Sequence, residues 1–312
     1  MEKIAVIGSG LIGRAWAMVF ARAGHPVRLF DNAPGAVENA LGLIEEGLGE
    51  LKNAGLISEA PTDIVKRVSA ATSLQEAVAD ADYVQENTSE KVEIKREVYR
   101  MLDEAAPAHC ILASSTSTIQ TSRFSEGLEG KHRCIVAHPV NPPHVVPIVE
   151  ISPAPWTAPE VVAKTRALQE KVGQVPITVK KEVEGFILNR LQAALLRESW
   201  RLVDEDYVSV DDLDKTIRDG LGLRWAFMGP FETIDLNAPG GVADYAARFG
   251  PAFDHMMSGV DYKPWGKELI ARIEAQRRKL MPQEKHAERE AWRDRRLMAL
   301  VAHKRSQDKP GN

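Results

Sequence analysis

The sequence has few of the features that mark secreted, membrane-spanning or disulfide-rich proteins. It contains only two cysteines in 312 residues, Cys110 and Cys134. Both fall in predicted strands, where we expect buried thiols in a reducing compartment rather than a disulfide framework. No apolar run approaches the roughly 20 residues that span a bilayer. The first strand begins almost at once and leaves no room for a signal peptide, so we expect a cytoplasmic protein with no membrane partner.

An excess of one charge sign is also absent. The chain carries 40 Lys and Arg against 44 Asp and Glu, a net charge of −4. A slightly acidic protein lacks the overall basic footprint of nucleic-acid binding. Apolar content of 44% and charged content of 27% are typical of a globular protein, and the length suggests two domains or one large one. No metal site is predicted.

A glycine-rich turn close to the N-terminus is the strongest local signal. The short apolar run 4–7 predicts a buried strand, and Gly8, Gly10 and Gly13 follow it at G-x-G-x-x-G spacing before a helical run. In a dinucleotide-binding turn these glycines allow a tight turn, a close approach to pyrophosphate and close helix packing. The helix N-terminus then faces the phosphates. The residues assigned to the cofactor here are Gly8, Gly10, Leu11, Ile12 and Gly13.

The end of the second predicted strand indicates which dinucleotide binds. Asp31 follows the strand 26–30, at about the 20-residue distance from the glycine turn that suits a contact with the adenosine ribose. A carboxylate repels a 2′-phosphate, and Asn32 follows rather than an arginine, so NAD is favoured over NADP. The alternative is an ordinary βαβ unit in which Asp31 caps a helix.

Strands and helices alternate along the first part of the chain, which predicts an α/β fold. The fold class is a Rossmann-like, doubly wound, mostly parallel sheet followed by an all-helical C-terminal domain. The expected domains are an NAD-binding domain over 1–182 and a helical substrate and dimerisation domain over 183–312. Basic helices begin at about 262, with 14 Lys and Arg against 7 Asp and Glu over 262–312. Their apolar stripes indicate packing on the domain or on a partner subunit.

Polar groups follow two of the later strands. A hydroxyl cluster, Ser114 to Thr118, comes directly after the strand 110–113, at the sheet edge where ligands bind in such folds. It is either part of a site or a solvated turn. His138 ends another apolar strand, and Glu150 lies inside a third, where an unpartnered carboxylate is costly. The two are either unrelated or a His–carboxylate pair, in which Glu150 leaves one ring nitrogen free as a base.

Several motifs in this order resemble those of the 3-hydroxyacyl-CoA dehydrogenase superfamily. Within it, the chain is most similar to the branch of lambda-crystallin (L-gulonate 3-dehydrogenase) and carnitine 3-dehydrogenase. The resemblance runs from Met1 to about Gly259. The motifs that carry it are Gly8 to Gly13, Ala113 to Thr118, His138 to Glu150, Gly185 to Arg190, and Gly229 to Glu232.

The resemblance implies a role for each matching residue. His138 is the expected catalytic base, Glu150 its orienting carboxylate, and Ser117 and Asn189 contact the substrate oxygen. Residues implied near the nicotinamide end of NAD, besides Ser117, are Glu90, Lys95 and Asn141. Ser115 departs from the pattern, since acyl-CoA enzymes often carry asparagine there. A homodimer through the helical domain is implied as well.

The charged residues of the sequence indicate which class of substrate to expect. CoA esters need cations for their phosphates, yet the stretch 45–52 is net acidic. A free 3-hydroxy acid needs one fixed cation, which Arg224 supplies unless it is a surface or interface residue. We expect NAD-dependent oxidation of a small hydroxy carboxylate, L-gulonate-like first. The alternatives are carnitine, held against Trp225, a short-chain 3-hydroxyacyl-CoA, and a crystallin-like structural protein that only binds NAD.

Overall fold

The computed structural model describes residues 1–260, 266–280 and 282–307. The chain forms two compact units: Met1–Arg190 with the described part of Glu290–Asn312, and the described part of Leu191–Arg289. The domain boundaries expected from the sequence, 1–182 and 183–312, stay a prediction. The expected start of the basic region at about 262 lies outside the described residues, and so does Trp265, an apolar residue near that start.

The first unit is built on one eight-stranded sheet. The strands are β1 Ile4–Ile7, β2 Val27–Phe30, β3 Val68–Ala70, β4 Tyr83–Glu86, β5 Ile111–Ser114, β6 Cys134–Pro139, β7 Ile148–Pro153 and β8 Val175–Thr178. Their order in the sheet is β3-β2-β1-β4-β5-β6-β7-β8. The pairings are parallel except that of β6 with β7, which confirms the predicted mostly parallel, Rossmann-like sheet.

Helices cover both faces of this sheet, as an all-apolar first strand requires. Ile4 and Val6 belong to the core on one face, whereas Ala5 and Ile7 belong to the core on the other. A short 3₁₀ turn, Lys131–Arg133, precedes β6. The helices are α1 Leu11–Arg22, α2 Ala36–Asn53, α3 Pro61–Val65, α4 Leu74–Val78, α5 Val92–Ala105, α6 Thr121–Ser125 and α7 Pro159–Lys171.

The rest of the described chain is helical, which confirms the predicted helical C-terminal region. Ser209 caps the helix that begins at Val210, because its hydroxyl accepts a 3.1 Å hydrogen bond from the Asp212 N–H. None of the described helices is both long and apolar enough to cross a membrane. The helices are α8 Leu188–Asp204, α9 Val210–Lys215, a π-helical segment Thr216–Leu221, α10 Gly222–Trp225, α11 Pro230–Leu236, α12 Gly241–Met257, α13 Lys267–Leu280 and, after a 3₁₀ turn Gln283–Lys285, α14 His286–Gln307.

The last helix belongs largely to the first unit. Met298 of α14 is buried in the core on one face of the sheet, and Leu297 and Val301 pack against that core. Arg305 adds a 3.2 Å hydrogen bond from its guanidinium to the Leu56 carbonyl. This part of the basic region therefore packs on the first unit, which is one of the two alternatives that the sequence left open.

Candidate active site

The glycine turn lies at the carboxyl end of β1, and two of its glycines are required by the protein's own packing. A Cβ at Gly13 would lie 1.8 Å from the Gly8 carbonyl oxygen, so only glycine lets α1 start this close to the strand. Gly8 has a φ of +90°, and a Cβ there would meet the Asn87 carbonyl oxygen at 2.8 Å. A Cβ at Gly10 would meet no protein atom within 4 Å. The open space at Gly10 fits a cofactor pyrophosphate that the backbone approaches closely.

Asp31 sits at the end of β2 with its carboxylate held by the same turn. One oxygen, Oδ2, accepts hydrogen bonds from the Ser9 N–H at 2.7 Å and from its hydroxyl at 2.9 Å. The other accepts from the Ala33 N–H at 3.0 Å. Burial raises the pKa of Asp31, but these hydrogen bonds outweigh burial and hold the pKa below its usual value. A fixed carboxylate beside the glycine turn suits a ribose diol and disfavours a 2′-phosphate.

One carboxylate oxygen binds three members of the hydroxyl cluster, namely Thr116, Ser117 and Thr118. Glu90 Oε1 accepts hydrogen bonds from the Thr116 hydroxyl at 2.6 Å and from the N–H groups of Ser117 and Thr118 at 2.9 and 3.0 Å. The Ser117 and Thr118 hydroxyls donate to it at 3.1 Å. Burial raises the pKa of Glu90. The hydrogen bond from the Thr116 hydroxyl, the charge of Lys95 and the Thr118 and Ser117 N–H groups outweigh burial and bring this pKa below its usual value. The cluster is therefore an ordered loop.

A buried ion pair lies behind this loop. Lys95 and Glu86 have side chains only 1% and 0% exposed, and the Lys95 ammonium is 3.0 Å from both Glu86 oxygens. Glu86 also accepts from the Ser114 hydroxyl at 2.6 Å and from the Thr88 N–H at 2.6 Å. It thereby ties the loop after β4 to the end of β5. The contact of Lys95 with the nicotinamide ribose stays a prediction, and here its ammonium is bound by Glu86.

Ser115, where the sequence departs from the acyl-CoA enzymes, has a full set of partners. Its hydroxyl accepts from the Trp16 indole N–H at 2.9 Å and from the Gln85 amide at 2.7 Å. The same hydroxyl donates to Asn87 Oδ1 at 2.7 Å. The residue therefore links α1, β4 and β5 at the carboxyl edge of the sheet.

His138 and Glu150 face each other directly across the antiparallel pair of β6 and β7. His138 Nδ1 lies 2.8 Å from Glu150 Oε2, and the two residues are 6% and 0% exposed. The sequence left open whether they were unrelated, and the geometry makes them a hydrogen-bonded pair. With an ionised Glu150 as acceptor, Nδ1 carries the proton and Nε2 keeps its lone pair.

The second oxygen of Glu150 is bound by the start of α8. Oε1 accepts from the N–H groups of Ile187 and Leu188 at 2.8 and 2.9 Å. Burial raises the pKa of Glu150, but the hydrogen bonds from His138, Leu188 and Ile187 outweigh burial and lower the pKa below its usual value. Glu150 is therefore held as a carboxylate whose two oxygens have fixed, separate partners.

Of the three remaining predicted site residues, only Asn189 is bonded to this cluster. The Asn189 amide, in the first turn of α8, donates to the Ser117 carbonyl at 2.7 Å, so the hydroxyl loop and the His138–Glu150 pair are both tied to that turn. Asn141 follows just after β6 and is exposed. Arg224 is exposed on α10 in the other unit. Among the described residues, no group of three or more His, Cys, Asp or Glu is arranged to bind a metal ion.

The sequence reasoning missed three supporting residues. Ser9, between two of the motif glycines, holds Asp31. Glu86 is a carboxylate at the end of the buried strand β4, and a carboxylate in a buried strand is the same signal that singled out Glu150. Phe186 lies in the turn before α8 with a φ of +49°, a conformation that neither composition nor periodicity indicates.

A glycine turn with open space at Gly10, a fixed carboxylate at the end of β2 and a His–carboxylate pair lie along one sheet edge, an arrangement that fits an NAD-dependent oxidoreductase. The 3-hydroxyacyl-CoA dehydrogenase NAD-binding domain matches residues 3–183, and the C-terminal domain of the same family matches residues 185–279. The chain belongs to the 3-hydroxyacyl-CoA dehydrogenase family.

Its relatives include the branch that the sequence motifs indicated. The chain is 43% identical over 303 residues to a lambda-crystallin homolog from Bos taurus, covering 96% of this chain and 94% of that protein. It is 36% identical to an L-carnitine dehydrogenase from Oceanobacillus iheyensis, covering 88% of each. The structure of 5-formyl-3-hydroxy-2-methylpyridine 4-carboxylic acid 5-dehydrogenase, an NAD+-dependent dismutase, superposes with a TM-score of 0.82 at 30% identity and covers 98% of each chain.

Proposed function

We propose that this protein oxidises the 3-hydroxyl group of a small hydroxy carboxylate, with an L-gulonate-like polyhydroxy acid as the first candidate and His138 as the base. The observation that carries the proposal is the 2.8 Å hydrogen bond between His138 Nδ1 and Glu150 Oε2. Because Glu150 is buried and its other oxygen is bound by α8, it fixes both the tautomer and the orientation of the imidazole.

Oxidising a secondary alcohol removes a proton from oxygen and a hydride from carbon. NAD supplies the hydride acceptor. His138 Nε2 takes the hydroxyl proton, and the carboxylate of Glu150 stabilises the imidazolium that forms. Ser117 and Asn189 are proposed to hydrogen-bond the substrate oxygen as its charge changes. For this, the Ser117 hydroxyl turns from Glu90 towards the substrate.

The cofactor contacts are proposed on the same basis. The turn residues Gly8, Gly10, Leu11, Ile12 and Gly13 would bind the pyrophosphate with their backbone, and Asp31 the adenosine ribose. The residues proposed to lie towards the nicotinamide end are Glu90, Lys95 and Asn141. Lys95 would act through Glu86, its buried partner. The cytoplasmic location expected from the sequence stays a prediction.

Charge favours a free carboxylate over a CoA ester. The acidic stretch 45–52 belongs to α2, where Glu45, Glu46 and Glu50 are exposed, and exposed carboxylates repel the phosphates of CoA. Arg224 is proposed as the cation that binds the substrate carboxylate, through its planar pair of N–H donors. Carnitine is the second candidate, because the chain shares 36% identity with an L-carnitine dehydrogenase.

Steady-state assays that follow NADH formation test the proposal with L-gulonate, L-carnitine, 3-hydroxybutyrate and 3-hydroxybutyryl-CoA. We expect the highest kcat/KM with a free acid. A large preference for the CoA ester would overturn the carboxylate argument. Arg224→Met should raise KM for the free acid, whereas the matched control Arg218→Met, an exposed arginine paired with Asp219, should leave KM unchanged.

A homodimer through the helical unit is part of the proposal. Large apolar side chains of this unit face solvent, among them Phe231, Leu236 and Met256, which are 76%, 67% and 58% exposed. Apolar exposure of this kind is typical of a surface that a partner covers. Light scattering coupled to gel filtration should give twice the chain mass of 34.4 kDa. A monomer at micromolar concentration would contradict this.

A further inference from the structure

A residue in the turn that leads into α8, two positions before the helix starts, has an unusual backbone. Phe186 has a φ of +49° and follows Gly185, whose φ is +74°. A left-handed conformation is ordinary for glycine but rare for a bulky L-residue, because the Cβ approaches the backbone. Phe186 is also 0% exposed. Backbone outliers of this kind persist where the surroundings enforce them, and they cluster at functional sites.

The turn at Phe186 directs the next two N–H groups to Glu150. The Phe186 N–H itself bonds back to the Val183 carbonyl at 3.1 Å and closes the turn. The chain then presents Ile187 and Leu188 to Glu150 Oε1 at 2.8 and 2.9 Å. The left-handed residue therefore sets the direction in which the first N–H groups of α8 point.

The ring of Phe186 contacts His138, the partner of Glu150. Its centroid lies 5.5 Å from that of the His138 imidazole, with the planes tilted by 43°. The Phe186 side chain also belongs to the core cluster on one face of the sheet. The imidazole of His138 is thus held at Nδ1 by Glu150 and has beside it a tilted ring that the core holds in place.

We propose that Phe186 is a positioning residue, whose left-handed backbone directs α8 to Glu150 while its ring fixes the imidazole of His138 for proton transfer. Glycine would adopt this backbone more easily but would leave the imidazole without its neighbour. The inference rests on the proposed role of His138 as the base, and it concerns how that base is held rather than which residue it is.

Replacing the ring tests the proposal. Phe186→Leu should lower kcat by about 10- to 100-fold, the usual cost of a misplaced catalytic group. KM for NAD should stay within about twofold, because the glycine turn is unchanged. The solvent deuterium isotope effect on kcat should increase, because removal of the hydroxyl proton becomes slower relative to the other steps. A purely structural role would not move this isotope effect.

Two further variants separate the ring from the backbone and from general packing. Phe186→Gly keeps the left-handed turn without its strain and removes the ring, so we expect kcat to fall as in Phe186→Leu. Phe124→Leu is the matched control, since Phe124 is 2% exposed in the same core and packs on Tyr99 with a centroid distance of 4.3 Å. It should lower thermal stability and leave kcat and the isotope effect unchanged.

The outcomes distinguish this inference from the proposed function. If Phe186→Leu keeps the wild-type kcat and isotope effect, or if Phe124→Leu changes both equally, the positioning role is wrong. Loss of turnover in His138→Gln together with unchanged kinetics in Phe186→Leu rejects this inference alone. Unchanged turnover in His138→Gln rejects the proposed base itself. If Phe186→Leu does not fold, Phe186→Met gives the same comparison with a flexible apolar side chain.

Discussion

Replacing Glu150 with glutamine removes one charge and almost no volume, so it isolates the electrostatic part of the proposed mechanism. The two oxygens of Glu150 have different partners, namely His138 Nδ1 and the N–H groups of Ile187 and Leu188. A glutamine offers one oxygen and one NH₂ group. The two backbone donors require the oxygen, so the NH₂ group faces His138.

The imidazole then has to accept a hydrogen bond at Nδ1, which puts its proton on Nε2, the nitrogen that the mechanism needs free. Both the tautomer and the stabilisation of the imidazolium are lost. We expect kcat to fall by roughly 10³- to 10⁴-fold, the scale of a general base held in the wrong tautomer. This corresponds to about 4–5 kcal/mol in the activation barrier.

NADH formation at saturating substrate measures the effect, and titration of the protein with NAD checks that cofactor affinity is retained. Glu160→Gln, an exposed carboxylate in the first turn of α7, is the control and should be as active as the wild type. A Glu150→Gln protein with normal NAD affinity and a kcat within about tenfold of the wild type, far below the usual general-base effect, would refute the reasoning.

Three further predictions concern the cofactor turn, the buried ion pair and pH. Gly10→Ala should fold with a melting temperature within about 2 °C of the wild type, because the added Cβ meets no protein atom within 4 Å. The same variant should raise the Kd for NAD, because the Cβ occupies the space proposed for the pyrophosphate. Gly13→Ala should destabilise the protein itself, and equal effects of the two variants in thermal melts and NAD titrations would contradict this. Lys95→Met leaves Glu86 buried without its cation and should cost about 3–5 kcal/mol in urea unfolding; a loss below about 1 kcal/mol would show the pair to be dispensable. The pKa of Glu150 is lowered in the folded state, so ionised Glu150 stabilises the protein above its unfolded pKa, and this stabilisation disappears as pH falls through the folded pKa. The difference in unfolding free energy between the wild type and Glu150→Gln should therefore shrink on acidification. A difference that grows as pH falls would contradict this prediction.

Features that depend on residues close in sequence were predictable. The glycine turn could be recognised because strand, glycines and helix start are contiguous, and the structure gives Gly8 and Gly13 packing reasons for being glycine. The pairing of His138 with Glu150 could be suspected because a carboxylate inside an apolar strand needs a partner. The choice between paired and unrelated residues required the antiparallel register of β6 and β7, which the sequence does not specify.

Other features depend on contacts between distant parts of the chain. Glu86 and Lys95 are nine positions apart, but their pairing follows from where α5 packs against the end of β4. The positive φ of Phe186 leaves no trace in composition or periodicity, since a phenylalanine is normally placed in the helical or extended region. Packing of Met298 on the first unit follows from the path of a chain that passes through the second unit before it returns.

The most direct test of the central claim is turnover by His138→Gln, measured as NADH formation with the best free hydroxy acid and accompanied by the Kd for NAD. We predict an unchanged Kd and a kcat reduced by at least about 100-fold, the lower end for losing a general base. A variant that binds NAD normally and turns over at the wild-type rate would show that His138 is not the base.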